Sequence, residues 1–137
     1  MGASGELRCG DQLLIELLVQ ADRPVANLNF GITIEDATRS RLLTVSTYLS
    51  KSGPVLADGL KRVTCYVDQL PLAPGRYCAS VHASVLRERP LDAVDQAIWF
   101  DVIATDFYGN GRPPNAELGQ FVARSNWTVG EEKLVTP

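Results

Sequence analysis

Apolar and polar positions alternate with a period of two along most of the chain, and the alternation returns in six separate segments. In residues 11–20, D-Q-L-L-I-E-L-L-V-Q, Leu13, Ile15, Leu17 and Val19 share one face, because successive side chains on an extended strand point to opposite sides. Leu and Glu would also suit a helix here, but the β-branched neighbours favour a strand. Residues 28–36 gather Phe30, Ile32 and Ile34, and residues 42–49 set Leu43, Val45, Thr47 and Leu49 against Leu42, Thr44, Ser46 and Tyr48. Val63, Cys65 and Val67 alternate with Arg62, Thr64 and Tyr66. Tyr77, Ala79, Val81, Ala83 and Val85 alternate with Cys78, Ser80, His82 and Ser84, and Ile98, Phe100 and Val102 make the sixth face. Asp22-Arg23-Pro24, Ser52-Gly53-Pro54, Asp58-Gly59 and Pro74-Gly75 supply turn chemistry between them. Short strands punctuated in this way predict an all-β, antiparallel sandwich rather than βαβ units. Residues 90–97 have room for a short helical turn.

One local signal narrows the class. Leu72-Ala73-Pro74-Gly75-Arg76-Tyr77 is a turn feeding a strand that begins with tyrosine. Immunoglobulin-like sandwiches place such a Tyr at the corner between their sheets, with its hydroxyl bonded to upstream backbone; an ordinary hairpin with an interior aromatic is the other reading. The antibody-type disulfide is absent, since the first strand has no cysteine and Cys65 and Cys78 fall on opposite faces. The chain reads as one domain, residues 1–137, with residues 1–5 as a flexible start. Residues 109–119 are rich in Gly, Pro and Asn and read as a linker to a C-terminal strand over residues 120–130. Phe121, Val122, Trp127 and Val129 make that strand too apolar to dangle in solvent. It is expected to dock on its own sandwich or on a partner.

Composition excludes several classes. With 45% hydrophobic residues the chain has enough apolar surface to fold, and 137 residues suffice for one core. No apolar run reaches the ~18 residues of a membrane-spanning helix, and the start lacks the basic and apolar regions of a signal peptide. A cytoplasmic location is therefore expected. A net charge of −3 without a basic stripe gives no reason to expect a nucleic-acid partner. Three cysteines cannot all pair within the chain and fit a reducing compartment. Zinc would need all of them plus His82, the single histidine, from scattered segments, so neither metal nor cofactor is expected. Phosphate-loop, dinucleotide, zinc-protease and nucleophile-elbow motifs are all missing. Cys78 and His82 would stand about 13 Å apart on one strand, too far for a nucleophile and its base. Ser80 and His82, at about 7 Å, have no oxyanion donor beside them.

What remains is a surface. If the strands around residues 28–36, 42–49, 77–85 and 98–102 share one sheet, their outward residues form one patch. It would hold Asn29, Thr33, Glu35, Ser46, Tyr48, Ser80, His82, Trp99 and Asp101. Aromatic rings among hydroxyls and carboxylates suit a sugar. Trp99 and Tyr48 are the expected platforms, with His82, Asp101, Ser46 and Ser80 as hydrogen-bonding groups; Trp99 covered by a loop or dimer partner is the competing reading. The Arg62, Thr64 and Tyr66 face is the fallback. Asp101 with Glu35 or Asp36 could instead serve a glycan-acting enzyme, although solvated charges are the plainer explanation.

The motif order resembles a known family. Gly5-Glu6, the strand from Leu13 to Val19, Asn29-Phe30-Gly31-Ile32-Thr33-Ile34-Glu35-Asp36, the Leu72-to-Tyr77 corner, Phe100-Asp101-Val102 and a late Gly119-to-Trp127 stretch resemble the C-terminal domain of Wzt-type proteins. These are ATP-binding subunits of ABC transporters that export O-antigen polysaccharide. Ala37-Thr38-Arg39 departs from the pattern, where the family often turns through glycine. The resemblance implies an immunoglobulin-like β-sandwich that binds the terminal part of a lipid-linked polysaccharide at the cytoplasmic face of the bacterial inner membrane. It also implies a homodimer exchanging its C-terminal strand through Phe121, Val122, Trp127 and Val129. The implied partners are the polysaccharide and the nucleotide-binding and membrane subunits of the transporter. ATPase activity would lie in a separate nucleotide-binding domain, so this chain is expected to be an excised or separate binding domain without catalysis. A glycan-acting enzyme using Asp101 and Glu35, or a purely structural dimerisation domain, are the alternatives.

Overall fold

The computed structural model describes residues 6–51, 53–86 and 88–130; the expected flexible start, residues 1–5, lies outside them. Among the described residues there are six strands: β1 (Glu6–Arg8), β2 (Leu13–Asp36), β3 (Arg41–Ser46), β4 (Val55–Val67), β5 (Gly75–Val85) and β6 (Arg89–Ile103). Asp22-Arg23-Pro24 does not reverse the chain as its turn chemistry predicts. Strand β2 runs through it for 24 residues, and the disturbance survives as register shifts against β4 between Ala21 and Val25 and between Val25 and Leu28. Proline cannot donate to a ladder and is accommodated at such a bulge. Asn27 takes a left-handed backbone, φ 57°, which asparagine tolerates better than most residues.

The bulged segment lets one strand serve two layers. The first half of β2 pairs with β4, from Leu13–Val67 to Ala21–Gly59. The second half lies between β5 and β3 in a layer ordered β1-β6-β5-β2-β3, antiparallel except for the parallel β1–β6 pair. Their inner faces meet in one core containing Leu13, Ile15, Ile32, Ile34, Ala79, Phe100 and Val102. The alternation in the sequence therefore assigns the buried positions of every paired segment correctly. Leu70, Leu72 and Ala73 are fully buried at one end. Leu70 N–H donates to the Asp11 carbonyl (2.9 Å) and its own carbonyl accepts from Gly10 (3.2 Å), so this loop buries no unpaired amide at Leu70. Tyr77, almost wholly buried, donates its hydroxyl to the Ala73 carbonyl at 2.6 Å. The expected corner is present.

Three further expectations change. Asp58-Gly59 lies inside β4, where Gly59 takes φ 74° opposite Ala21 at the bulge. Residues 90–97 are extended in β6 rather than helical, because the strand pairs with β5 across a register shift between Ala79 and Val81. Thr47–Leu49 is a 3-10 turn capped by the Ser46 side chain, so β3 stops at Ser46. Ser52 of the Ser52-Gly53-Pro54 turn lies outside the described residues. Among the described residues no helix is long and apolar enough to cross a membrane, and no group of three metal-ligating side chains converges.

Candidate functional site

Strand order places the outward residues of β3, β2, β5 and β6 on one continuous face. Its rows follow the register: Ser46, Gly31, His82 and Ala93; then Thr44, Thr33 and Ser80; then Arg41, Glu35, Cys78 and Trp99. A polar cavity of about 270 Å³ opens in the middle of this face, lined by Thr33, Glu35, Arg39, Arg41, Ser80, His82 and Asp95 among others. Two local features build it. The β2–β3 hairpin is folded by Asp36, whose Oδ1 accepts from Thr38 N–H (2.9 Å), Thr38 Oγ1 (2.7 Å) and Ser40 N–H (3.0 Å). That turn puts Arg39 in the left-handed region at φ 70° and aims its guanidinium across the sheet. On the opposite rim the β6 bulge puts Gln96 at φ 49° and lifts Asp95 toward the arginine.

The two features lock together. Arg39 Nη2 reaches both Asp95 oxygens, at 3.0 and 3.1 Å, while its Nε lies 3.5 Å from Glu35 Oε2. Ser80 sits between the carboxylates: its hydroxyl is 3.0 Å from Asp95 Oδ1 and 3.3 Å from Glu35 Oε1, and it accepts the Gln96 N–H at 2.9 Å. Ser80 first, and then Arg39, hold the Asp95 carboxyl below its usual pKa, so it is ionised at neutral pH. Thr33 and Thr44 share a hydroxyl–hydroxyl bond of 3.1 Å beside them. His82 lies flat over Gly31, so that a Cβ on Gly31 would overlap the ring. Cys78, on the same face, is fully buried, and burial followed by Glu35 pushes its thiol pKa up. It is a buried filler under the site, not a reactive thiol.

The six residues predicted as a sugar site are divided by this geometry. Ser80 and His82 line the cavity. Ser46 is used as the cap of the 3-10 turn, accepting from Leu49 N–H at 3.3 Å. Tyr48 is half exposed beyond the end of β3, its backbone N–H bound to Asn29 Oδ1 (2.9 Å). Asn29 is itself buried as the anchor of that turn. Trp99 stands opposite Cys78, level with Glu35, which is six residues, about 20 Å, along the sheet from the Tyr48 row. The two aromatics cannot hold one sugar ring between them. The Arg76 guanidinium covers one Trp99 face at 5.4 Å and pairs with Asp101 at 3.2 Å. Asp101 and Glu35 are about 12 Å apart at their Cα atoms by strand spacing, each with its own arginine. Sequence reasoning passed over Arg39, Arg41 and Asp95. The available signal was the hairpin that turns through Arg39, where glycine would meet the backbone requirement more cheaply.

Comparison with known proteins decides the family. The family model described as "Wzt C-terminal domain" matches residues 2–112. The chain belongs to the Wzt C-terminal domain family. A solved structure titled "Crystal structure of the C-terminal domain of wzt" superposes on this Wzt C-terminal domain with a TM-score of 0.75 at 16% identity, covering 91% of this chain and 74% of the other. At that identity the likeness speaks for the fold alone. No curated protein matches.

The tail of this Wzt C-terminal domain begins where the family match ends. Residues 120–130 form no strand on their own chain beyond one bridge, Phe121 with Leu72. Up to Arg124 the tail is nonetheless fastened. Gln120 donates its side chain to Asp36 Oδ2 (2.8 Å), and its carbonyl accepts from Ala73 N–H (2.8 Å). Val122 is buried and bonded to the Pro71 carbonyl (2.9 Å), and Arg124 stacks over Phe107 at 4.0 Å while donating to its carbonyl. Beyond that point Trp127 is 87% and Val129 98% exposed.

Proposed function

We propose that this domain is the carbohydrate-binding module of an ABC transporter's ATP-binding subunit, holding the end of a lipid-linked O-antigen polysaccharide at the cytoplasmic face of the inner membrane before export. Family membership supports the setting. The observation that carries the reading is the polar cavity on the outer face of the five-stranded layer, where donors and acceptors from β2, β3, β5 and β6 converge on a space open to solvent. The site moves from the Trp99–Tyr48 pair to this cavity, keeping Ser80 and His82 and adding Glu35, Arg39, Arg41 and Asp95; Trp99 and Asp101 form its flank. A catalytic role for Glu35 and Asp101 is disfavoured by their separation and by the arginine each already holds.

The functional form we infer is a homodimer. The second layer has only two strands, β2 and β4, against five. Grooves of about 500 and 440 Å³ run along its two sides, and β4 has one unpaired edge among the described residues. Exposed Trp127 and Val129, on a segment leaving the chain after Arg124, are suited to fill such a groove on a second copy. Exchange of an identical element is a low-cost route to a dimer and covers an aggregation-prone edge.

Calorimetric titration of the chain with the O-polysaccharide of the bacterium that encodes it tests the reading. Saturable binding is expected, with modest affinity because a shallow site gains little after ordering costs. No heat and no NMR shift at about millimolar repeat unit, a Kd worth only ~4 kcal/mol, would overturn it.

A further inference from the structure

We propose that the cavity selects an uncharged sugar residue through a pair of adjacent hydroxyls, gripped by the Asp95 carboxylate with Arg39 as its positioning residue. The proposal rests on the reading of this face as a carbohydrate site and goes further by naming the ligand's chemistry. Charge is the first argument. Every cation on the face already has a carboxylate: Arg39 holds Asp95 and Glu35, Arg76 holds Asp101, and Arg41 is the cross-strand partner of Glu35. No spare positive charge remains for a phosphate or uronate, and such a group would sit against Asp95 and Glu35.

Hydrogen-bonding capacity is the second argument. A carboxylate has about four acceptor positions. Asp95 Oδ1 serves Arg39 and Ser80, whereas Oδ2 serves Arg39 alone, and the side chain remains 68% exposed. It is therefore rigid, ionised and still short of donors. Two neighbouring hydroxyls supply the missing hydrogens in charge-assisted bonds, and the Arg41 and His82 side chains lie across the cavity to meet their oxygens. At about 270 Å³, the space sits at the lower end of small-ligand cavities, roughly 300 Å³, and takes one ring, not an extended chain.

The test is calorimetry of the full chain with three preparations: native O-polysaccharide at about 50 mM salt, the same at about 500 mM salt, and the polysaccharide after periodate oxidation and borohydride reduction. That treatment opens vicinal diols without adding charge. We expect affinity to change less than about twofold with salt, since neutral ligands release no screened charge. It should fall about tenfold or more after oxidation, the loss of at least one charge-assisted bond. Asp95→Asn should show a loss of the same order against native polysaccharide, with an unchanged amide NMR fingerprint outside the cavity. Undiminished binding of the oxidised glycan, or a tenfold fall with salt (~1.4 kcal/mol), would overturn the diol proposal while leaving a carbohydrate site in place. Failure of the wild-type chain to bind native polysaccharide removes the carbohydrate reading and this proposal with it. The oxidised-glycan arm uses wild-type protein, so it stands even if the variant fails to fold.

Discussion

At the scale of single residues, two positions carry more than their size suggests. Gly31 has no room for a side chain because the His82 ring rests on it. Gly31→Ala should push the imidazole out of the cavity and lower stability by roughly 1–3 kcal/mol, the usual cost of overpacking. The companion His82→Ala should absorb most of that loss, and a double-mutant cycle by urea denaturation measures the coupling. Tyr77 is the other. Its hydroxyl is the buried partner of the Ala73 carbonyl, and Tyr77→Phe should cost about 1–3 kcal/mol in the same assay. Tyr77 was legible in the sequence because the corner is a local motif. Arg39 and Asp95 were not, since they are 56 positions apart and meet only through a left-handed turn and a bulge.

Elements show the same division. Alternation identifies the inner face of each strand, but a bulge adds one residue and shifts every later side chain. The β6 bulge that presents Asp95 was thus read as a place for a helical turn, and the proline of β2 as a reversal. The β2–β3 hairpin has a pH dependence of its own. Thr38, then Gln120 and Ser40, hold the Asp36 pKa down from 3.8 to about 2. A carboxylate with a depressed folded pKa stabilises the fold above its unfolded value and loses that contribution as pH falls through the folded one. Between about pH 4 and pH 2 the thermal midpoint of the wild type should therefore fall more steeply than that of Asp36→Asn. Equal slopes in the two melting series would remove Asp36 from the account.

For the whole molecule, the layered fold was readable because faces, turns and the tyrosine corner agree with one another. The association state was not, because the tail's apolar residues fit equally a dock on their own chain or on another. The structure divides the tail at Arg124, and truncations should follow that division. A chain ending at Arg124 keeps Gln120, Val122 and the Phe107 stack, and should fold as a monomer by light scattering where the full chain is a dimer. Ending at Tyr108 removes buried Pro114 and Val122 as well, and should also lower the melting midpoint. The long strand β2 has a kinetic consequence. Because one continuous segment belongs to both layers, neither can open while the other stays closed. Amide exchange from Ile15 in one layer and Ile32 in the other should therefore converge on a single opening free energy near the denaturation limit. Its pairings reach from Leu13 to Val67 and from Asp36 to Tyr77, so both hairpin closure and long loop closure precede the native contacts. Folding in the millisecond-to-second range of all-β domains follows.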